Sequence, residues 1–536
     1  MRQNRLAING IILVLIFLLF TPPGIFGEGG VDGLSDSDPI IDTVIINNQD
    51  IFDTSDPEYG HWIYSLANKF HIKTKKSVIS REVLLKPGEP FSPSLAEETG
   101  RNLRTLPYIY EADVALDSSN GRNRLVVTTS DRWTLAGGPT ISRSSRQTTY
   151  KIGVEELNLL GYGQQLLIDY YIREFDEDYL EASLYERRLL NSRQSLYLYY
   201  NGNPEIGLSS FSFSRPYYSL NDRVSWNVSY SYTDRQDRYY ISGFEISRNQ
   251  TEGRRLSLAC NYRFGAYLSK VAFGLNYQYH DVSISDRQVF HENIPVVFPD
   301  DSLYHAIIPS FGVSRVDYIK TTRIDRFKKT EDIAMNTGAS LSFGWYYDAS
   351  KGGILYRSMV FALGYSSYWN SNLFSINYSR AFYYNSMIHL RKRILFTFRY
   401  YNNGLKFLTP AFRLSYSIDN RYDRRLSVSA GEETGLRGYP RDYVTGEKVL
   451  KMNYENRFFT GLSIMSAQIG VVQFIDAAQG LLKDDAPDLD RFFWAFGIGL
   501  RIAPEKISNA DIVRVDLTYA EKLREWEISF GVGQYF

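Results

Sequence analysis

From residue 133 onward the side chains alternate between apolar and small polar types with a period of two, in runs of about ten residues. Val224, Trp226, Val228, Tyr230 and Tyr232 are interleaved with Ser225, Asn227, Ser229 and Ser231. Val271, Phe273, Leu275, Tyr277 and Tyr279 are interleaved with Ala272, Gly274, Asn276 and Gln278, and the pattern recurs over Phe412–Ile418 and Val513–Tyr519. Period two sends one set of side chains to each face of a strand, and about ten residues is what a tilted strand needs to cross a bilayer. A soluble β-sandwich also alternates, but it turns its aromatic face inward. The second face here carries Ser, Asn, Gly and Thr with Arg514 and Asp516, which suits a wet lumen inside an apolar exterior. The expected fold is therefore mainly β: a transmembrane antiparallel β-barrel of 16–22 strands by pattern.

Composition matters at three points. Tyr 42 and Phe 32 fit aromatic girdles at the two membrane interfaces. The balance of 60 basic against 60 acidic residues gives no field that would favour nucleic acid. A single cysteine, Cys260, excludes a disulfide framework and a Cys-based zinc site, and no cofactor is expected.

Residues 1–27 read as an export signal: Arg2 and Arg5 precede an apolar run, Ile11–Phe20, that is too short to span hydrocarbon and is followed by Pro22 and Pro23. A Gly-, Asp- and Ser-rich linker follows at 28–39. Residues 40–132 have a mixed α and β pattern. Ile41, Val44 and Ile46 suggest a strand, and Trp62, Ile63, Leu66 and Phe70 lie at helical spacing. Val78–Leu84 suggests a short helix, and Ser94 with Glu97 a capping box opening another that Pro107 ends. Two strands, Ile109–Leu116 and Arg124–Thr129, flank an Asn120-Gly121 turn. The barrel is assigned to 133–536.

Several motifs then occur in a fixed order. They are Asp131-Arg132-Trp133 at the end of the α+β segment, Asn158-Leu159-Leu160-Gly161-Tyr162-Gly163-Gln164, and Gly435-Leu436-Arg437-Gly438-Tyr439-Pro440. After them come Asn453–Arg457, Phe474-Ile475-Asp476 and the closing stretch Trp526–Phe536. In this order the chain resembles the BamA-like outer-membrane insertase and translocator superfamily, of bacterial surface antigen type. The resemblance implies a Gram-negative outer-membrane protein with one periplasmic POTRA domain at 40–132 and a barrel of 16 strands. It also implies a lumenal loop in which Leu436, Arg437, Gly438 and Tyr439 fold back, Arg437 meeting Glu455 or Asp476 on the wall. The family's Asp is usually followed two residues on by Gly, where Ala478 stands here. A lateral seam is implied between the first and last barrel strands, at Gly137, Gly138, Pro139, Gly531 and Gly533. Phe530, Tyr535 and Phe536, on a strand ending in an aromatic pair, are implied as a barrel-assembly signal. The partners implied are unfolded outer-membrane or secreted polypeptides, outer-membrane lipids, and periplasmic or lipoprotein accessory factors, with no nucleic acid. One module is fewer than the dedicated insertase usually carries, so an accessory paralogue is expected.

The alternative from another class is a passive outer-membrane channel set by the same inward loop. A metal site at His280, His291 and His305, with Asp286, Glu292, Asp300 and Asp301, is weighed lower than a solvated extracellular loop, since no fixed ligand spacing is present. No strand–turn–helix nucleophile elbow is seen, and no enzyme is expected.

Overall fold

The computed structural model describes residues 38–536 except 145–146, 175–176, 242–243, 291–295, 297, 386–388, 422–427 and 508–511. The expected export signal at 1–27, the linker up to residue 37, and His291 and Glu292 lie outside the described residues.

The chain opens on an α+β module. Strand β1 (Thr43–Gln49) is followed by helices α1 (Trp62–Phe70), α2 (Lys76–Ser80) and α3 (Pro93–Arg104), then strands β2 (Ile109–Asp117) and β3 (Arg124–Asp131). The sheet order is β1-β3-β2, with β1 parallel and β2 antiparallel to the central strand. Strict alternation along β3 buries Leu125 and Val127, which pack with Ile79, Leu103 and Leu106. The cap of α3 is Ser92, whose hydroxyl accepts from Leu95 N at 3.3 Å, and not Ser94. Pro93 then occupies the first helical position, where its missing N–H costs nothing. Helix α2 ends at Ser80, short of the expected Leu84. Helix α1 forms over the expected residues, yet Trp62 and Phe70 remain 66% and 69% exposed.

Twenty strands follow in one antiparallel sheet, in chain order around a barrel, instead of the 16 that the resemblance implies. The first is Leu135–Ser144 and the last Glu525–Val532. The early strands are 7–10 residues long, near the minimum for crossing hydrocarbon. The five from Val224 to Asp348 have 18–21 residues and continue well past that minimum. His280 and His305 lie on two of these long strands and not in a loop: His280 stacks near Tyr304, and His305 Nδ1 lies 2.7 Å from the Tyr277 hydroxyl. On the last strand Trp526, Ile528, Phe530 and Val532 are all exposed and share one face, the outward apolar face that period two requires.

Residue-by-residue ladders join every neighbouring pair of barrel strands except one. Gly137, Gly138 and Pro139 pair with Val154, Gly153 and Ile152 on one side, and Gly531 pairs with Arg514. The sheet closes into a barrel with the last strand beside the first, but among the described residues no extended register like those of the other pairs joins the two.

The module sits on the barrel end where that first strand begins, held by charged contacts to the turns. Arg104, at the C-terminus of α3, forms a two-bond fork with Asp332, both at 2.6 Å. Glu98 accepts from Leu220 N and from the Tyr267 hydroxyl, each at 2.6 Å. Arg132 donates to the carbonyls of Glu505 and Ile507 at 3.0 and 2.9 Å. Glu82 takes two bonds from Arg188, at 2.7 and 2.8 Å, with both side chains buried. Burial by itself raises the Glu82 carboxyl, but the Arg188 hydrogen bonds and the Arg187 charge outweigh it and hold its pKa below the ordinary carboxylate value.

A depressed folded pKa means that the Glu82 contribution is fully present above the ordinary carboxylate pKa and is lost as pH falls through the folded one. Acidification should therefore loosen the module on the turn 187–194, read as faster protease cleavage or amide exchange there. Glu82→Ala leaves the Arg188 charge unpaired, at about 3–5 kcal/mol. That variant should be loose at neutral pH and show little further change on acidification.

Candidate functional site

The lumen is occupied by a segment that leaves the wall after residue 421 and rejoins it at Lys448. Short strands Val428–Ala430 and Val444–Gly446 pair at its base. The loop then closes on itself through Leu436 N to Gly431 O and Glu432 N to Tyr439 O, both 2.9 Å. Leu436 and Tyr439 are fully buried against Val449, Ala478, Ala495 and Ala520. Ala478, at the position where glycine was expected, is thus part of the surface on which the loop packs. Gly438 has φ +77°, and a Cβ there would lie 2.7 Å from Thr518 Cγ2, so only glycine fits both the left-handed backbone and the space. The Tyr439 hydroxyl donates to Trp494 O at 3.0 Å and accepts from Lys522 N at 3.1 Å.

This folding brings Arg437 against carboxylates of three wall strands. Its Nε and Nη2 reach the two oxygens of Asp476 at 2.7 and 3.0 Å, and Nη1 reaches Glu455 Oε1 at 2.9 Å. Asp516 Oδ2 stands 3.6 Å from Nη1. The same carboxylates serve two wall arginines: Arg457 Nε binds Glu455 at 2.9 Å and Arg501 Nη1 binds Asp516 at 2.6 Å. Three guanidiniums thus meet three carboxylates, and all six side chains are essentially buried. Asn453 extends the network, donating to Asp476 Oδ1 at 2.7 Å and to Gly435 O at 3.0 Å, and accepting from Arg413. Planar bidentate pairing fixes orientation together with charge, a task for which an ammonium is poorly suited.

The last residues reach the same place from the opposite end of the barrel. The final strand stops at Val532, and Gly533, at φ +78°, turns the chain inward, with its N–H on Ile512 O at 2.7 Å. Tyr535 and Phe536 are therefore off the strand, contrary to the expected strand end. The Arg437 guanidinium lies 3.5 Å from the Phe474 ring centroid and 4.0 Å from that of Tyr535, whose hydroxyl donates to Glu432 O at 2.6 Å. Arg457 Nη2 donates to Phe536 O at 2.6 Å and its Nη1 to Ile324 O at 2.7 Å, which ties in the turn 322–330 as well. Phe530 stays on the strand and is 73% exposed on the outside.

Glu455 and Asp476, both singled out in the sequence, are brought together on one arginine. Asp516, Arg457, Arg501 and Asn453 were not assigned to the site. Asp516 sits in the polar phase of an alternating strand, which marks it as inward-facing, but nothing in the sequence marks it as a neighbour of Arg437. Among the described residues no group of three His, Cys, Asp or Glu side chains is arranged to hold a metal ion.

No protein-family model matches the chain, and no curated protein does. Among solved structures it is similar to BamA from Haemophilus ducreyi lacking POTRA domains 1–3, at 13% identity and a TM-score of 0.37, over 92% of this chain and 84% of that one. It is also similar to CdiB from Acinetobacter baumannii, at 10% identity and a TM-score of 0.43, over 92% and 73%. CdiB from Escherichia coli matches at 9% identity and a TM-score of 0.42, over 99% and 96%. At such values the fold stands on the strand pairing, and these similarities add no weight to it.

Arg437→Ala should leave the Asp476 and Glu455 carboxylates short of partners and cost the loop about 3–5 kcal/mol, read as protease cleavage near 431–443. The barrel ladder is untouched, so heat-modifiable mobility on a gel should persist. Arg437→Lys should restore little, since it cannot make the fork. Gly438→Ala should free the loop comparably although it removes no charge.

Proposed function

We propose that this chain is an outer-membrane barrel that inserts or translocates other polypeptides without covalent chemistry, with residues 40–132 acting as a POTRA-like periplasmic domain. The observation that carries the reading is the closing junction, between Leu135–Ser144 and Glu525–Val532, which brings the two strands side by side without an extended ladder. Hydrocarbon offers no partner to backbone N–H and C=O groups, so an incomplete junction is a liability unless it opens toward a strand that completes it. Pro139 lacks an N–H, and Gly137, Gly138 and Gly531 weaken the strands that border the junction. In this reading an unfolded client pairs first along an edge of the β1-β3-β2 sheet and then at the seam. The anchored loop couples lumen to wall through Arg437. Tyr535 and Phe536 link the last strand to that anchor, beside any role in assembly of the barrel itself. A lumen in which the loop, the last residues and the turn 322–330 are tied to one charge cluster favours this over an open passive channel.

Two experiments test the reading. With Cys260→Ser as background, paired cysteines across the first and last strands should crosslink, and crosslinking should stop client assembly in reconstituted vesicles. Undiminished assembly with the junction fully crosslinked would remove lateral opening from the mechanism. Protease added to intact cells should cut near 290–301 and spare 40–132; cleavage of the module would reverse the assigned topology.

A further inference from the structure

The exposed apolar face of α1 has a definite place in the molecule. Just before the helix, Glu58 touches Ser463 at 3.3 Å, beside the turn at Met465. Just after it, Lys75 N donates to Gly161 O at 3.0 Å, on the turn between the second and third barrel strands. Between these points Lys506 Nζ binds Ile51 O at 2.6 Å, and the His71 ring lies beside Trp133 at the start of the first strand. Helix α1 therefore lies along the barrel rim near the junction that lacks an extended ladder.

The turns on either side of it expose apolar side chains too. Met465 is 77% exposed, Leu160 60% and Leu190 92%. Leu160 and Leu190 occupy two copies of one turn. In each, a Glu carboxylate (Glu156, Glu186) accepts from the backbone N–H two residues on, and a Leu N–H (Leu159, Leu189) binds a Gln carbonyl (Gln164, Gln194). In each, the second leucine is forced to a positive φ, +50° and +51°. Water would favour Gly or Asn at such a position. A strained leucine held outward twice points to an apolar medium at its tip. The strands above these turns are 7–10 residues long, so the turns fall at the edge of the hydrocarbon.

We infer that α1 and the Leu160 and Leu190 turns form one surface that docks onto the anionic phospholipid leaflet on the module's side of the membrane. Trp62, Leu66 and Phe70 enter the headgroup boundary, continuous with the apolar rim. Lys69 and Lys76, both exposed, face the phosphates, while Lys73 pairs with Asp50 at 2.8 Å and Lys75 Nζ lies 3.3 Å from the Tyr162 ring centroid. The leaflet then holds the module beside the junction. The inference rests on the outer-membrane reading above.

The test uses the full chain in phosphatidylglycerol-containing nanodiscs, in the Cys260→Ser background. Single fluorophores are placed by Phe70→Cys, Leu190→Cys, Ile528→Cys on the wall, and Arg122→Cys on the module turn between β2 and β3; gel mobility checks that each variant folds. Labels at 70 and 190 should be quenched by headgroup-proximal spin-labelled lipid, at a depth of about 5–10 Å, and resist iodide. The label at 122 should do the reverse. Phosphatidylcholine alone, or Lys69→Glu with Lys76→Glu, should expose the label at 70 to iodide and leave that at 190 unchanged. If 528 is quenched by deep lipid label while 70 stays open to iodide, the docking inference fails and the membrane reading stands. If 528 is not quenched, the membrane reading itself fails. Protection of 70 that requires added unfolded polypeptide would assign the face to a client and overturn the inference.

Discussion

A bilayer interior cannot hydrogen-bond a peptide group, and in the proposed outer-membrane setting the architecture of this chain follows from that constraint. Antiparallel neighbours connected by short turns satisfy the backbone of each strand without loops crossing the hydrocarbon, and period two then divides apolar from polar side chains. An extended ladder runs through every junction but the one between Leu135–Ser144 and Glu525–Val532. These two strands are far apart in sequence and weakened by Pro139 and several glycines, so the least supported pairing is also the one that must close the cylinder.

The lumen answers a second constraint, that buried charge must be paired. Arg437, Arg457 and Arg501 share Glu455, Asp476 and Asp516, a set whose formal charges cancel. Removing any member leaves a charge without its partner, which makes the cluster sensitive as a unit. It joins parts of the molecule that chain connectivity keeps apart: the loop enters from one end, Tyr535 and Phe536 from the other, and the wall strands lie between. The last strand is consequently mechanically linked to the loop through the two residues Gly533 and Gln534 that precede Tyr535.

The module is seated by the same kind of chemistry. Arg104–Asp332, Arg188–Glu82 and the bonds from Arg132 reach turns at separated points around the mouth. These pairs fix an orientation more than they add stability, because each forms with specific geometry at a site shielded from water. One consequence is that α1, which contributes no residue to the module core, is presented at the rim beside the weak junction.

The sequence by itself determined the two-part division, the barrel with its faces, and the identity of Arg437, Glu455 and Asp476 as residues of interest. Alternation is a local property: each strand carries its own record of which side meets lipid. The helical spacing of Trp62, Ile63, Leu66 and Phe70 likewise located α1, but could not say that its apolar face stays uncovered. Strand number, register and the full charge cluster were decided only by the tertiary structure. Twenty strands in place of sixteen changes which residues are neighbours without changing any local pattern. Asp516 meets Arg437 because adjacent strands are aligned in one register, and a shift of one residue would have turned it outward. Tyr535 reaches the same arginine because Gly533 bends the chain away from the ladder, a contact between residues nearly one hundred positions apart that no period in the sequence encodes.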